Sequence, residues 1–173
     1  MSEQTNDFKI RTAVLTISDK GSKGERKDLS GPIIKDLMKE IGAVIVYEEI
    51  IADEISEIKK VLAEISDQKK ADLILTTGGT GFAKRDITPE ATLEVIEKEA
   101  PGIPEKIRAE TVSITPQAAL SRARAGIRKD TLIINLPGSP KAVRECLEAV
   151  IEIIPHGVKI LKGEITEHKP EHK

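Results

Sequence analysis

The residues whose types and spacing most clearly suggest chemistry lie in one short stretch, Thr77, Gly78, Gly79, Thr80 and Gly81. Three glycines in four positions allow positive φ angles and let backbone N–H groups approach a ligand without interference from a Cβ atom. The stretch directly follows a short apolar run that is typical of a buried strand. Loops at the carboxyl ends of parallel strands are common binding sites for phosphates, so we predict a phosphate-binding loop here.

Asp86 stands a few residues beyond these glycines. Phosphates held by backbone amides still carry excess negative charge, which proteins usually neutralise with Mg²⁺. This ion takes one or two carboxylates and completes its ligands with water and phosphate oxygens, which makes Asp86 a candidate metal ligand and catalytic residue. The alternative is that Asp86 only complements the dipole of the next helix, which Thr88 as N-cap and Pro89 at the first position are predicted to begin.

The elements that must position these residues follow from hydrophobic periodicity. Apolar runs predict strands over residues 10–18, 43–50, 71–77 and 131–136, with a small one at 125–128. Helices are predicted over 30–41, 53–65, 89–99 and 140–154, with shorter helical pieces at 104–110, 116–124 and 155–161 and a charged loop at 20–29. Repeated β-α alternation predicts a three-layer α/β/α sandwich with a mostly parallel central sheet.

The overall composition narrows the function classes. The 173 residues include 27 Lys and Arg against 29 Asp and Glu, and aromatic residues make up 2% of the chain. This balance argues against a nucleic-acid-binding surface, and the scarcity of aromatics argues against base stacking. No apolar run is long enough to span a membrane and no signal peptide is evident, and the single cysteine, Cys146, suits a reducing compartment. We predict a cytoplasmic protein of one domain over residues 1–173, with flexible tails at 1–8 and 164–173.

Two further segments are candidates on local grounds. Asp53 follows the second strand and therefore belongs to the same sheet edge as the glycines, although its spacing alone favours an ordinary helix N-cap. Pro137, Gly138 and Ser139 follow the last strand and open a helix, where Ser139 is the predicted N-cap and the helix start could bind an anion. Cys146 and the three histidines (His156, His168 and His172) have no spacing that suggests a metal site and are interpreted as structural.

Residues 77–81, followed by Arg85, Asp86, Ile87, Thr88, Pro89, Glu90 and Ala91, resemble the signature of the MogA/MoaB group. These are the molybdopterin adenylyltransferases related to the gephyrin G domain, and the resemblance extends from residue 10 to about residue 161. It implies a role in molybdenum cofactor biosynthesis, with Mg²⁺-dependent transfer of AMP from ATP to the terminal phosphate of molybdopterin and release of pyrophosphate. It also implies a homotrimer or hexamer and transient contacts with other enzymes of molybdenum cofactor synthesis.

The resemblance assigns roles that spacing alone does not. It makes Asp53 a catalytic residue together with Asp86, and it places Ser121 and Arg122 in the substrate pocket. It adds Ser18 to that pocket, and it assigns Pro137, Gly138 and Ser139 to a phosphate or to the group attached to the pterin.

Two alternatives remain beside this interpretation. One is a non-catalytic paralogue that binds molybdopterin without transferring AMP. The other is a nucleotide pyrophosphatase of the CinA-related type, a group that departs from this glycine and Arg-Asp pattern. A dehydrogenase with a Rossmann fold has little support, because no G-x-G-x-x-G follows the first strand.

Overall fold

The computed structural model of the chain describes residues 8–165, so most of the two predicted tails lies outside the described residues. The strands are β1 (Arg11–Ile17), β2 (Val44–Ile51), β3 (Leu73–Thr77), β4 (Lys98–Glu99), β5 (Ala125–Arg128) and β6 (Thr131–Leu136). The helices are α1 (Asp19–Ser22), α2 (Ser30–Glu40), α3 (Ile55–Asp67), α4 (Thr88–Leu93), α5 (Gly102–Thr111), α6 (Pro140–Glu148) and α7 (Ile154–Leu161), with a 3-10 helix at Pro116–Leu120. None of the helices within residues 8–165 combines the length and the apolar character needed to cross a bilayer.

All six strands join one sheet in the order β2-β1-β3-β6-β5-β4. The pairs β1-β2, β1-β3 and β3-β6 are parallel, and β5 pairs antiparallel with both β6 and β4. Ile17 is in register with Ile51, and Thr77 is in register with both Thr16 and Leu136. The four parallel strands therefore end together, and the loops that follow them meet at one edge. The predicted mostly parallel sheet is confirmed.

Alternate residues of the central strands feed two separate cores, as expected for a sheet covered on both faces. Leu73 and Leu75 belong to the core beneath α2, α6 and α7. Ile74 belongs to the other core, which packs against α3 and α4. This is the predicted three-layer α/β/α arrangement.

The predicted helix over residues 89–99 is wrong in its second half. Helix α4 ends at Leu93, and Glu97 then donates a backbone hydrogen bond to Ile127, so that the chain joins the sheet as β4. Gly126 of β5 allows this approach, because a Cβ there would press on Ile96 and on the carbonyl of Lys98. An edge strand of two residues is too short to leave a pattern in the sequence.

Three other predicted boundaries also differ from the structure. The charged loop at 20–29 begins inside the short helix α1, which Ser18 caps by accepting a hydrogen bond from the Gly21 amide at 3.0 Å. The helical piece predicted over 116–124 is a 3-10 helix that stops at Leu120. The helix predicted over 140–154 is interrupted after Glu148, and a separate helix, α7, begins at Ile154 with Pro155 as its second residue.

Candidate functional site

A polar cleft of about 410 Å³ opens at the edge where the parallel strands end. It lies between the loops that follow β1, β2, β3 and β6. Predicted site residues that line it are Ser18, Asp53, Thr77, Gly78, Gly79, Asp86, Gly138 and Ser139. The topology thus brings together side chains that are far apart along the chain.

A second cavity of about 440 Å³ adjoins this cleft. Residues of α5, of the 3-10 helix and of α6 form much of its wall, including the apolar side chains of Ile107 and Leu120. The predicted residues here are Thr80, Gly81, Ser121, Pro137 and Ser139. Ser139 lines both cavities, whereas Arg122 lines neither and borders a smaller pocket of about 220 Å³.

The glycine loop has the positive φ angles that its composition allows. Gly78 and Gly79 have φ angles of +102° and +68°, which other residues rarely adopt. The Gly78 amide donates to the carbonyl of Leu136, and the Thr88 hydroxyl donates to the carbonyl of Gly78 at 2.9 Å. Thr88 is therefore not the predicted N-cap of α4. The N-cap is Ile87, and Thr88 is the buried first residue of the helix. Its hydroxyl stabilises the glycine loop and does not cap the helix.

Three consecutive amides of this loop are available to a ligand. Among residues 8–165, no protein group accepts a hydrogen bond from the backbone N–H of Gly79, Thr80 or Gly81. Helix α6 begins nearby, and Ser139 is its N-cap as predicted, since its hydroxyl accepts from the Ala142 amide at 3.2 Å. Loop amides and a helix N-terminus together favour an anion.

Asp53 is bound to the loop that follows β1 and does not cap α3. Its Oδ2 accepts from the Asp19 amide at 2.8 Å, and its own amide donates to Asp19 Oδ1 at 3.0 Å. The N-cap of α3 is Glu54, which makes no side-chain capping bond, so the cap interpretation of Asp53 is wrong. Burial raises the pKa of Asp53, and the nearby charges of Asp19 and Asp86 raise it further against the opposing Asp19 amide and Arg85.

Arg85 connects the acids around the cleft. Its guanidinium bonds both carboxylate oxygens of Asp19, and Nη2 donates to the Asp53 carbonyl at 3.0 Å and to Glu54 Oε1 at 2.7 Å. The hydrogen bond from Arg85 lowers the pKa of Asp19. Asp19 therefore remains ionised beside Asp53, whose own pKa is raised.

Asp86 forms a tight turn within the loop. Its Oδ2 accepts from the Ala83 amide at 2.9 Å, and its amide donates to the Ala83 carbonyl at 2.9 Å. No group of three or more His, Cys, Asp or Glu side chains within residues 8–165 is arranged to hold a metal ion. A cation in this cleft would therefore share the carboxylates of Asp86 and Asp53 with oxygens of a substrate and with water, which is the ligand set that Mg²⁺ accepts.

Several residues of the cleft were not singled out from the sequence. Arg26 and Lys27 line it and supply positive charge from the loop after α1. Asp28 binds the start of α2 from the residue before its N-cap, Leu29, since its Oδ1 accepts from the amides of Ser30 and Gly31 at 3.0 Å each. The available signal was the density of charge between two predicted elements at the strand edge. Cys146 is buried as predicted, and burial raises the pKa of its thiol to about 11.

Comparison with known proteins gives a consistent result. The model of a family described as "Probable molybdopterin binding domain" matches residues 13–156. A molybdopterin adenylyltransferase of Helicobacter pylori is 49% identical over 156 residues, covering 89% of each chain. One from Escherichia coli is 37% identical over 176 residues, covering 94% of this chain and 90% of its own. The crystal structure of the molybdopterin biosynthesis enzyme MoaB of Thermus thermophilus has a TM-score of 0.85 at 47% identity, covering 89% of this chain and 97% of its own.

A more remote likeness extends to the group considered as an alternative. The CinA protein of Thermoplasma acidophilum has a TM-score of 0.66 at 20% identity, with 84% of this chain and 98% of its own covered. At that identity the likeness concerns the fold alone.

Proposed function

This chain belongs to the molybdopterin-binding domain family, and from that premise we propose that it is a molybdopterin adenylyltransferase of molybdenum cofactor biosynthesis. The observation that carries the proposal is the polar cleft, which Asp53 and Asp86 line together with Gly78 and Gly79, at the start of the loop whose amides at residues 79–81 are available to a ligand. Such a cleft suits a polyphosphate with its counter-ion.

The reaction is a phosphoryl-type transfer between two substrates, ATP and molybdopterin. An oxygen of the terminal phosphate of molybdopterin attacks the α-phosphorus of ATP. The bond from this phosphorus to the bridging oxygen breaks, and pyrophosphate leaves with the electron pair. The attacking oxygen is already anionic near neutral pH, so no side chain has to remove a proton. The protein contributes alignment and charge neutralisation.

The chain's residues divide these tasks. The glycine loop, with Arg26 and Lys27, holds phosphate oxygens of the nucleotide, with Gly79 in the cleft and Thr80 and Gly81 on the side of the adjoining cavity. Asp86, with help from Asp53, would hold Mg²⁺, which would neutralise phosphate charge when bound. Asp53 also fixes the loop after β1 through the Asp19 amide, so that the rim carrying the cations stays near the phosphates.

The adjoining cavity is assigned to the pterin. Its wall is more apolar than that of the cleft, as a flat heterocycle requires, and the Ser121 hydroxyl offers a contact for a substrate oxygen. Ser139 borders both cavities and lies at the start of α6. The phosphate that joins the two substrates would lie there, within reach of the helix N-terminus.

Incubation with α-labelled ATP, molybdopterin and Mg²⁺ tests the proposal. We expect label in adenylyl-molybdopterin and one pyrophosphate released per pterin consumed, with no product when Mg²⁺ is removed by a chelator. Binding of molybdopterin without pyrophosphate release would identify a non-catalytic pterin-binding protein. Label in free AMP that does not depend on the pterin would identify a nucleotide pyrophosphatase.

Assembly into a homotrimer or hexamer is part of the same proposal. Strand β2 forms one edge of the sheet, and its Val44 and Val46 side chains are exposed. A second copy packed on this edge would remove apolar surface from water. Light scattering coupled to size-exclusion chromatography gives the mass directly. Transient contacts with other cofactor-synthesis enzymes and a cytoplasmic location stay predictions.

A further inference from the structure

The guanidinium of Arg122 bonds the loop between the glycines and α4 and the first turn of α4. Its Nε donates to the carbonyl of Gly81 at 2.8 Å, and its Nη2 donates to the carbonyl of Asp86 at 2.6 Å. The third branch, Nη1, is paired with the Glu90 carboxylate. The Arg122 amide adds a fourth contact by donating to the Thr80 carbonyl at 3.0 Å.

These contacts join the two ends of a segment whose middle is held from the other side by the bonds of Arg85 to Asp19, Asp53 and Glu54. Phe82, Lys84 and Arg85 are exposed, and the Phe82 side chain has 70% of its surface accessible. Inside the segment, the Ala83 amide and carbonyl bond to Asp86 through the turn described above, so the turn by itself does not attach the segment to the rest of the protein. The separation between the carbonyls of residues 81 and 86, and with it the direction of the Asp86 carboxylate, depends on the planar fork of Arg122.

We propose that Arg122 is a positioning residue that closes this loop and aims Asp86 into the cleft, and that Glu90 orients Arg122. This role differs from the substrate contact that the sequence suggested, because the guanidinium faces the outer side of the loop and not either of the two large cavities. The catalytic consequence rests on the proposed adenylyl transfer, whereas the closed loop itself does not.

Arg122→Lys tests whether the Arg122 guanidinium holds the loop closed, because an ammonium keeps the charge but cannot bond two carbonyls and a carboxylate in one plane. Arg128→Lys is the matched control. Arg128 also bonds a carboxylate and a carbonyl, those of Asp67 and Val95, but it lies away from the glycine loop. Glu90→Gln is the milder second variant, which leaves Arg122 in place and removes its charged partner.

The first measurement is amide hydrogen exchange in the ligand-free proteins. We expect the Ala83 and Asp86 amides to exchange at least ~10-fold faster in Arg122→Lys, since opening of the loop limits their protection. In Glu90→Gln they should exchange faster by a smaller factor, and in Arg128→Lys at the wild-type rate. Unchanged exchange in both loop variants would overturn the proposal. If Arg122→Lys does not fold, Glu90→Gln alone decides.

The second measurement is steady-state transfer with Mg²⁺ varied. A displaced Asp86 should lower kcat roughly 100-fold and raise the Mg²⁺ concentration needed for half-maximal rate, because small misplacements near the reacting atoms have large effects. The Kd of molybdopterin should stay within about twofold. A weaker pterin or ATP affinity with unchanged Mg²⁺ dependence would show that Arg122 binds substrate directly. If the wild type transfers no AMP, the proposed function fails, and the exchange experiment still tests whether Arg122 holds the loop closed.

Discussion

The carboxylate of Asp53 lies in an environment that works against its charge. It is partly buried, and Asp19 and Asp86 add negative charge nearby, while Arg85 directs its side-chain bonds to Asp19 and Glu54. The result is a pKa raised above that of an exposed aspartate. Residues held at a cost to folding are frequent at functional sites. This favours a catalytic or metal-binding role for Asp53 over a purely structural one.

Asp53→Asn should therefore abolish most activity while making the protein more stable at neutral pH. The asparagine oxygen can still accept from the Asp19 amide, but the unfavourable charge is gone. Because the folded pKa is raised, the penalty is absent below the unfolded pKa of about 3.9 and develops as the pH rises through the folded pKa. The gain in melting temperature over the wild type should be present at pH 7 and should shrink on acidification.

Calorimetry at pH values from roughly 3 to 7 measures the effect on both proteins. Asp36→Asn is the control, since Asp36 is exposed on α2 and makes only a long contact of 3.9 Å with Lys39. Its melting temperature should match the wild type throughout. A lower melting temperature for Asp53→Asn at pH 7 would contradict the prediction and return Asp53 to a stabilising role.

Asp86→Asn separates metal binding from loop structure. The amide oxygen can keep the bond from Ala83, so the fold should survive with little change in stability. If Asp86 binds Mg²⁺, the transfer rate should fall by orders of magnitude, and titration with Mn²⁺ in the presence of ATP should detect weaker metal binding. A folded variant with near-normal turnover would remove Asp86 from the mechanism.

Among the elements, the glycine loop combines two kinds of constraint. At Gly78 and Gly79 the constraint is in the backbone, because both have positive φ and an added Cβ would press on the Ile17 carbonyl or on Thr88 Oγ1. Gly81 has no such φ angle, but a Cβ there would lie 2.8 Å from Asp86 Oδ2. The positive φ that the three glycines allow is thus found at Gly78 and Gly79 and not at Gly81.

The two constraints predict different outcomes for alanine substitutions. Gly79→Ala should lower the free energy of unfolding by about 1–3 kcal/mol, because an alanine is strained at the positive φ of this position. Gly81→Ala should leave stability nearly unchanged and lower activity by roughly 10- to 100-fold, because it displaces the Asp86 carboxylate. Chemical denaturation and the transfer assay together separate the two. Gly157→Ala in α7 is the control, since its Cβ would meet open space.

Isothermal titration of the same variants tests which substrate the loop binds. Gly79→Ala and Gly81→Ala should weaken ATP more than molybdopterin, because the loop amides are assigned to the nucleotide. The opposite order would mean that the two cavities have been assigned the wrong way round. Unchanged affinity for both ligands would reduce the loop to a structural turn.

The elements could be predicted from the sequence where the signal is local. Apolar runs locate β1, β2, β3 and β6, Ser139 and Pro140 locate the start of α6, and the glycines mark the loop after β3. The contacts that hold the site are not local. Arg122 lies 41 positions from Gly81, and Asp19 lies 34 positions from Asp53. Their pairing depends on the register of the sheet and on the loops it brings together, so no spacing in the sequence reveals it.

At the scale of the whole molecule, the two ends of the parallel strands have different roles. The carboxyl ends carry the glycine loop and the acids of the cleft. At the opposite end, near the start of β3, Asp72 is buried and bonded to the Arg11 amide and side chain and to Lys162 Nζ at 2.9 Å. Asp72 thereby ties β1 and the segment after α7 to the centre of the sheet. Stability and activity should accordingly be separable by substitution.

Asp72→Asn should lower stability without affecting the chemistry. The carboxylate is 3% exposed, and losing its charged hydrogen bonds should cost about 1.5–3 kcal/mol. Burial alone would raise the pKa of Asp72, but the bonds from Arg11 and Lys162 outweigh it and leave the pKa lowered. The stabilisation is then present above the unfolded pKa of about 3.9 and is lost as the pH falls through the folded pKa.

Urea denaturation of the wild type and Asp72→Asn at several pH values measures this contribution. The difference between the two free energies of unfolding should be full near neutral pH and should disappear in acid. Asp67→Asn is the matched control: Asp67 also pairs with an arginine, Arg128, but its side chain is 41% exposed, so solvent screening should make its effect on stability much smaller than that of Asp72→Asn. At a temperature where all three proteins are folded, kcat should be equal among them, because Asp72 and Asp67 lie outside the cleft. A fall in kcat for folded Asp72→Asn would mean that the contacts of Asp72 at one end of the strands also set the geometry of the loops at the other end.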